Sequence, residues 1–224
     1  MGLTSESVGG VLWDLDGTLI DSAGHHWTAW HATLAAFGRS VTPGDFANSF
    51  GKRNDEILYE LFGRGIETEW IERVSEAKEQ AYRRLLRAEG LELLPGALSW
   101  FERLHSAGWR QALASSAPRK NIDAVFEALA ALGQHLELVV SADEVGHGKP
   151  DPAIFLEAAR RLSLPPGRCI VVEDAPAGIE GARRAGMRSI GVLSSHHPRL
   201  EADVVVPSLE ALDADAFEVL LGRR

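Results

Sequence analysis

Only one cysteine, Cys169, occurs in the 224 residues of this chain. A single thiol forms neither an internal disulfide nor a multi-cysteine zinc site, so a disulfide scaffold is excluded and a reducing cytoplasm is the expected compartment. Excess positive charge is also missing. Lysine and arginine number 23 against 32 aspartates and glutamates, a formal net charge of −9. That balance offers no electrostatic foothold to nucleic acid or an anionic membrane, and neither is expected as a partner. No apolar run approaches the ~18 residues a membrane span requires. The stretch Met1-Gly2-Leu3-Thr4-Ser5-Glu6-Ser7 has neither the basic start nor the apolar centre of a signal peptide. Internal repeats and low-complexity tracts are absent too. What remains is 45% hydrophobic and 25% charged, the profile of a soluble globular protein. A chain this long buries roughly 70% of its unfolded surface, so its core needs no disulfide or structural metal.

Short β-branched runs recur between longer amphipathic segments. Val8 to Leu15, Arg110 to Ala114, Leu136 to Ser141, Cys169 to Glu173, Ser189 to Leu193 and Asp203 to Val206 read as strands. Their near-continuous hydrophobicity implies burial on both faces, and the helical segments between most of them imply parallel crossovers. The expected fold class is α/β, a Rossmann-like doubly wound parallel sheet. Residues 22–91 interrupt the rhythm, with no convincing strand. Trp30, Leu34 and Phe37 give one helix its apolar stripe. Trp70, Val74, Ala77, Ala81 and Leu85 give another theirs, with Glu72, Arg73, Glu76, Arg83 and Arg84 between them. An all-helical insertion after the first strand would sit over the carboxyl ends of the sheet, where open α/β folds bind ligands. The expected division is a core of residues 1–21 and 92–224 and a helical cap of residues 22–91, with Leu94-Pro95-Gly96 marking the return to the core.

Chemistry concentrates at the strand ends. Asp14-Leu15-Asp16-Gly17-Thr18 places two carboxylates two residues apart, a repulsion that a divalent cation or a raised pKa relieves. Gly17 lets the chain turn and leaves backbone N–H groups facing an anion. An aspartate beside Mg2+ can attack phosphorus while its neighbour serves as general acid and base. The second strand ends in Ser115-Ser116-Ala117-Pro118, with hydroxyls and N–H groups suited to phosphoryl oxygens. The third is followed by Gly146-His147-Gly148-Lys149-Pro150, a lysine fixed in a turn, and the fourth by Glu173-Asp174-Ala175-Pro176-Ala177-Gly178, a second acidic pair. Each alone is compatible with a turn or a helix cap. Together they describe metal-assisted phosphoryl transfer. Asp14, the main-chain carbonyl of Asp16 and Asp174 would serve as Mg2+ ligands, with Glu173 a fourth or just behind them. Lys149 would offset negative charge, and Ser115 would orient a phosphoryl oxygen.

This set, in this order, resembles the haloacid dehalogenase-like superfamily from about Val8 to Val206. The resemblance implies a Rossmann-like core with an inserted cap, Asp14 as nucleophile and Asp16 as acid/base. The name-giving dehalogenases lack the second aspartate, so phosphate chemistry is the expected activity. The cap residues His26, Arg53 and Lys78 match positions by which beta-phosphoglucomutase and similar sugar-phosphate phosphatases hold substrate and govern proton transfer, and the resemblance assigns them, with Ser116, to substrate binding. The loop Ser115-Ser116-Ala117-Pro118-Arg119 is more similar to the phosphatases than to the mutase. Lys52, beside Arg53, falls near the Schiff-base lysine of phosphonate-cleaving relatives, a reading set aside here. Trp13, Trp27, Trp100 and Trp109 read as packing residues, His196-His197-Pro198 as exposed loop, and Gly222-Arg223-Arg224 as a frayed end. The expected protein is a cytoplasmic Mg2+-dependent phosphatase of a small phosphorylated metabolite, a sugar or polyol phosphate, acting as a monomer or weak homodimer. The alternatives are a phosphomutase and a non-catalytic phosphate-binding protein.

Overall fold

A computed structural model describes residues 9–194 and 197–222. Met1 to Val8, His196, Arg223 and Arg224, which figure in the readings above, lie outside the described residues. Six strands form one parallel sheet in the order β3-β2-β1-β4-β5-β6. They are β1 (Gly10–Trp13), β2 (Arg110–Ser115), β3 (Leu138–Ser141), β4 (Cys169–Glu173), β5 (Arg188–Val192) and β6 (Val204–Val206). Strand order reverses between β1 and β4, and a sheet of this kind opens its ligand crevice at such a point.

The first strand is shorter than its hydrophobicity predicts. The Leu15 carbonyl accepts the Leu19 N–H at 2.9 Å and the Ile20 N–H at 3.2 Å, which pulls the chain out of the sheet just after Asp14. Gly17 sits at φ +86°, and a Cβ there would collide with the Asp174 carboxylate. Only glycine fits both the conformation and the approach.

Between β1 and β2 the chain forms α1 (Ala23–Ala36), α2 (Pro43–Ser49), α3 (Asn54–Phe62) and α4 (Thr68–Glu89), then α5 (Ala97–Ser106). The rest of the chain adds α6 (Arg119–Ala128), α7 (Ala130–Gly133), α8 (Ala153–Arg161), α9 (Pro176–Arg184) and α10 (Ala216–Leu220). Alternate strand residues feed two cores. Val11, Trp13, Leu113, Ile170 and Val172 pack with Phe101 of α5, Ile122 of α6 and Phe217 of α10. Leu12, Ala112, Cys169 and Val171 pack with Phe155 of α8 and Ala182 of α9 on the other face. Trp13, Trp100 and Trp109 are buried, with ring centroids 5.0–6.2 Å from Phe101 or Phe217.

The first four helices enclose a third cluster around Trp30, Leu34, Phe46, Leu58 and Val74. Two short segments join them to the sheet side by side, linked by Asp21 N–H to the Glu92 carbonyl at 3.2 Å and Leu94 N–H to the Leu19 carbonyl at 2.9 Å. The buried face of α4 differs from the expected stripe. Ile71, Val74, Lys78, Glu79, Tyr82 and Leu86 are buried, whereas Trp70, Ala77, Ala81 and Leu85 are half-buried. The helix is turned by about one residue, which brings a lysine and a glutamate inside. No helix among the described residues is long and apolar enough to cross a membrane.

Candidate active site

The sheet brings the motifs together because each ends a strand or follows one. Asp14 follows β1 directly, with its N–H still bonded to the Val172 carbonyl of β4 at 3.0 Å. Ser115 closes β2, Lys149 lies on the loop after β3, and Glu173 closes β4. Lys149 Nζ donates to Asp14 Oδ1 at 2.5 Å and to Glu173 Oε1 at 2.8 Å, fully buried against the face of Phe155. Burial opposes the ammonium charge, but Asp14 and Glu173 overrule it and hold Lys149 above the ordinary lysine value.

Carboxylate oxygens of Asp14, Glu173 and Asp174 lie within 4.8 Å of one another, all buried. Their partners separate their roles. Glu173 is engaged at both oxygens, by Lys149 and by the Ala175 N–H at 2.7 Å. Gly178 makes this possible, since a Cβ there would occupy the space of the Glu173 carboxylate. Asp174 is 0% exposed, and among the described residues neither of its oxygens meets a donor in full hydrogen-bond geometry. Burial, then Glu173 and Asp14, push its pKa well above the ordinary carboxylate range; Lys149 and the nearby Ser194 hydroxyl, which falls short of hydrogen-bond geometry, do not reverse this. Asp14 is pushed up to about 8 by burial, and by Glu173 and Asp16, against the pull of Lys149. Three buried carboxylates against one ammonium, one of them without a donor, form an oxygen cradle that lacks positive charge. Such a donor set could hold a hard divalent cation such as Mg2+, for which Asp14 and Asp174 would be the side-chain ligands while Glu173 holds Lys149.

Asp16 turns away from this cradle. Its Oδ1 accepts from Ser22 Oγ at 2.6 Å and lies 3.1 Å from His26 Nε2. Lys78 Nζ lies 2.9 Å from His26 Nδ1. An ammonium only donates, so Nδ1 accepts and the ring proton sits on Nε2, facing Asp16. Burial would raise the Asp16 pKa, but His26, Ser22 and Lys78 hold it below the ordinary value. His26 stacks on Tyr82, with centroids 4.1 Å apart and planes at 11°. Lys78 also donates to Glu79 Oε1 at 2.9 Å, and Glu79 accepts from Asn54 at 2.7 Å and from Asn121. The polar line therefore runs from Asp16 through helices α1 and α4 to α3 and α6.

A cavity of about 50 Å³ lies between these groups, lined by Asp14, Asp16, His26, Trp30, Phe50, Lys78, Glu79, Ser115, Ser116 and Asn121 among others. The Ser115 hydroxyl accepts the Ala117 N–H at 3.1 Å, while the Ser116 hydroxyl is shielded from solvent without a partner among the described residues. Arg53 does not reach this cavity. Its guanidinium donates to the Ala142 and Val145 carbonyls at 3.3 and 3.1 Å and to Asp55 at 3.3 Å. Trp30, Asn54, Glu79 and Asn121 line the cavity without having been singled out as site residues in the sequence. Glu79 carried one usable signal, its position beside Lys78.

Residues 8–186 match the haloacid dehalogenase-like hydrolase family. The chain belongs to that family. It is 31% identical to protein CbbY of Rhodobacter capsulatus over 222 residues, covering 94% of this chain and 97% of the relative. It is 34% identical to hexitol phosphatase A of Escherichia coli over 216 residues, covering 91% and 92%. The crystal structure of beta-phosphoglucomutase from Clostridium difficile superposes with a TM-score of 0.84 at 26% identity, covering 96% of this chain and 97% of that one.

Proposed function

We propose that this haloacid dehalogenase-like hydrolase is a Mg2+-dependent phosphatase that releases inorganic phosphate from a small phosphorylated metabolite, a sugar or polyol phosphate, through an aspartyl-phosphate intermediate. The observation that carries the reading is Asp14 locked to Lys149 beside the unpartnered carboxylate of Asp174, with Asp16 on a separate polar line. An Asp14 oxygen attacks phosphorus as the bond to the leaving oxygen breaks. Asp16, which its neighbours hold ionised in this closed state, takes up a proton from solvent before the helices close over the substrate and gives it to that oxygen, so the product leaves as an alcohol. Asp16, then ionised, takes a proton from the water that attacks the phospho-aspartate; phosphate departs and the Asp14 carboxylate is restored. Lys149 and the Ser115-Ser116 loop face the phosphoryl oxygens, and Ser116 supplies the unused hydroxyl. A bound Mg2+ would supply charge that keeps Asp14 ionised and stabilises the transferring group.

We read the helices of residues 22–91 as a cap whose closure excludes bulk water. The small free space between these groups, about 50 Å³, supports substrate entry with the helices lifted. His26 and Lys78 set the proton inventory of Asp16, whereas Arg53 acts against the core loop in this state. We infer action as a monomer or weak homodimer. The buried thiol of Cys169 and the acidic surface suit the cytoplasm.

The likeness to beta-phosphoglucomutase keeps one alternative, a mutase that returns the phosphoryl group to a second hydroxyl. Incubation with a panel of sugar and polyol phosphates decides. The expected result is free phosphate in Mg2+, none after chelation, and none with Asp14→Asn. Isomerisation without phosphate release establishes the mutase, and undiminished turnover by Asp14→Asn overturns the covalent mechanism.

A further inference from the structure

The wall of the cavity opposite Asp14 carries a charge pattern that selects among phosphate esters. Two lysines line the cavity among the described residues, and both are neutralised. Lys52 Nζ lies 2.8 and 2.9 Å from the Glu60 oxygens, and Lys78 Nζ lies 2.9 Å from Glu79 Oε1. The nearby guanidinium, Arg53, does not line the cavity and donates instead to Asp55 and to the Ala142 and Val145 carbonyls of the core. Among the described residues each lysine of this wall already faces a carboxylate, and Glu79, 4% exposed, adds an anion where a second phosphate would have to bind.

The acceptor inventory of Glu79 is equally telling. A carboxylate offers about four lone-pair positions. Oε1 receives Lys78 and Asn54, and Oε2 receives Asn121, leaving one position, on Oε2. The aromatic side chains of Trp30, Phe46 and Phe50 complete the wall. A donor for one acceptor and apolar faces for carbon-bound hydrogens are what an uncharged polyhydroxyl group provides.

We propose that Glu79 is a specificity-determining residue that admits an uncharged, polyhydroxylated leaving group, by accepting one of its hydroxyls, and rejects substrates with a second phosphate or a carboxylate. It does so by cancelling the charge of Lys78 and by placing a buried anion against any second anionic group, a juxtaposition that costs binding heavily at low dielectric. The inference rests on the phosphatase reading and narrows it to monophosphates of neutral alcohols.

The test is the ratio of kcat/KM for a hexitol monophosphate to that for a hexose bisphosphate, both read as phosphate release in Mg2+. For the wild-type protein the expected ratio is roughly a hundredfold or more in favour of the monophosphate. Parity or preference for the bisphosphate overturns the proposal, with no variant required. In Glu79→Gln, which frees the Lys78 charge, the ratio is expected to fall by roughly tenfold or more, chiefly through KM for the bisphosphate. Glu79→Asp keeps the anion and is expected to retain the wild-type preference. An unchanged ratio in a folded, active Glu79→Gln overturns the assignment to Glu79. Absence of phosphate release from every ester by the wild-type protein is instead the failure of the phosphatase reading.

Discussion

A single atom decides the geometry at Gly178. The carboxylate of Glu173 fills the space a Cβ would take there, and that carboxylate fixes Lys149 at 2.8 Å. Gly178→Ala is expected to push Glu173 aside, lower activity by roughly 10–100-fold and cost about 1–3 kcal/mol of stability; thermal melts and phosphate-release assays read both. Full activity in that variant would show that Glu173 does not position Lys149. Cys169 makes the opposite case, a reactive residue type rendered inert. It is 0% exposed at the start of β4, and burial pushes its thiol up to about 11. A thiol reagent at pH 8 is expected to label the denatured chain stoichiometrically and the native chain not at all, and rapid native labelling would contradict the burial. At this scale the sequence was legible where residues stand in motifs: Asp14, Ser115, Lys149, Glu173 and Asp174 meet because each ends or follows a strand. Ser22 was not, because its hydroxyl leaves the α1 terminus and reaches Asp16 instead.

Helix α4 shows where pattern reading fails. Its apolar residues predict one buried stripe, and the fold buries the next, with Lys78 and Glu79 inside. A charge is interior only when partners await it, and these come from distant elements: His26 from α1, Asn54 from α3 and Asn121 from α6. None is visible in the local spacing, and adjacent residues on a helix do not ordinarily share a face. The arrangement has a pH signature. Burial alone would raise the Glu79 pKa, but Lys78, His26, Asn121 and Asn54 hold it below the ordinary 4.5. A depressed carboxylate adds stability that is fully present above the unfolded value and is lost as pH falls through the folded one. The stability gap between wild type and Glu79→Gln is therefore expected to be constant above about pH 6 and to shrink as the pH drops below about 4.5, as measured by denaturant melts. A gap independent of pH would mean that folding leaves the Glu79 pKa unchanged, and a gap that moves the other way, with wild type losing stability relative to the variant as the pH rises, would mean that folding raises it. Arg53 repeats the lesson with opposite effect: its match to a substrate-holding position was readable from the resemblance, but the core carbonyls that capture it were not.

At the scale of the whole molecule, the order of apolar runs was enough to give a six-stranded parallel sheet with helices on both faces, because β-branched runs buried on two sides have few other homes. Strand limits shifted by a residue or two where a turn captured the carbonyls first, as Leu15 shows. The helices over the strand ends were legible as helices, but which of their faces looks at Asp14 depends on packing between them. The strand order gathers four loops around Asp14, and the whole account depends on phosphorus being passed to that carboxylate. The most direct measurement uses Asp16→Asn, in which the acid/base for hydrolysis is gone, mixed with an activated phosphate ester in Mg2+, quenched and mapped by peptide mass spectrometry. The account predicts one phosphoryl group per chain, acid-stable and base-labile, on the peptide carrying Asp14. A phosphoryl group on any other residue, or wild-type rates of phosphate release from this variant with no labelled peptide, would contradict it.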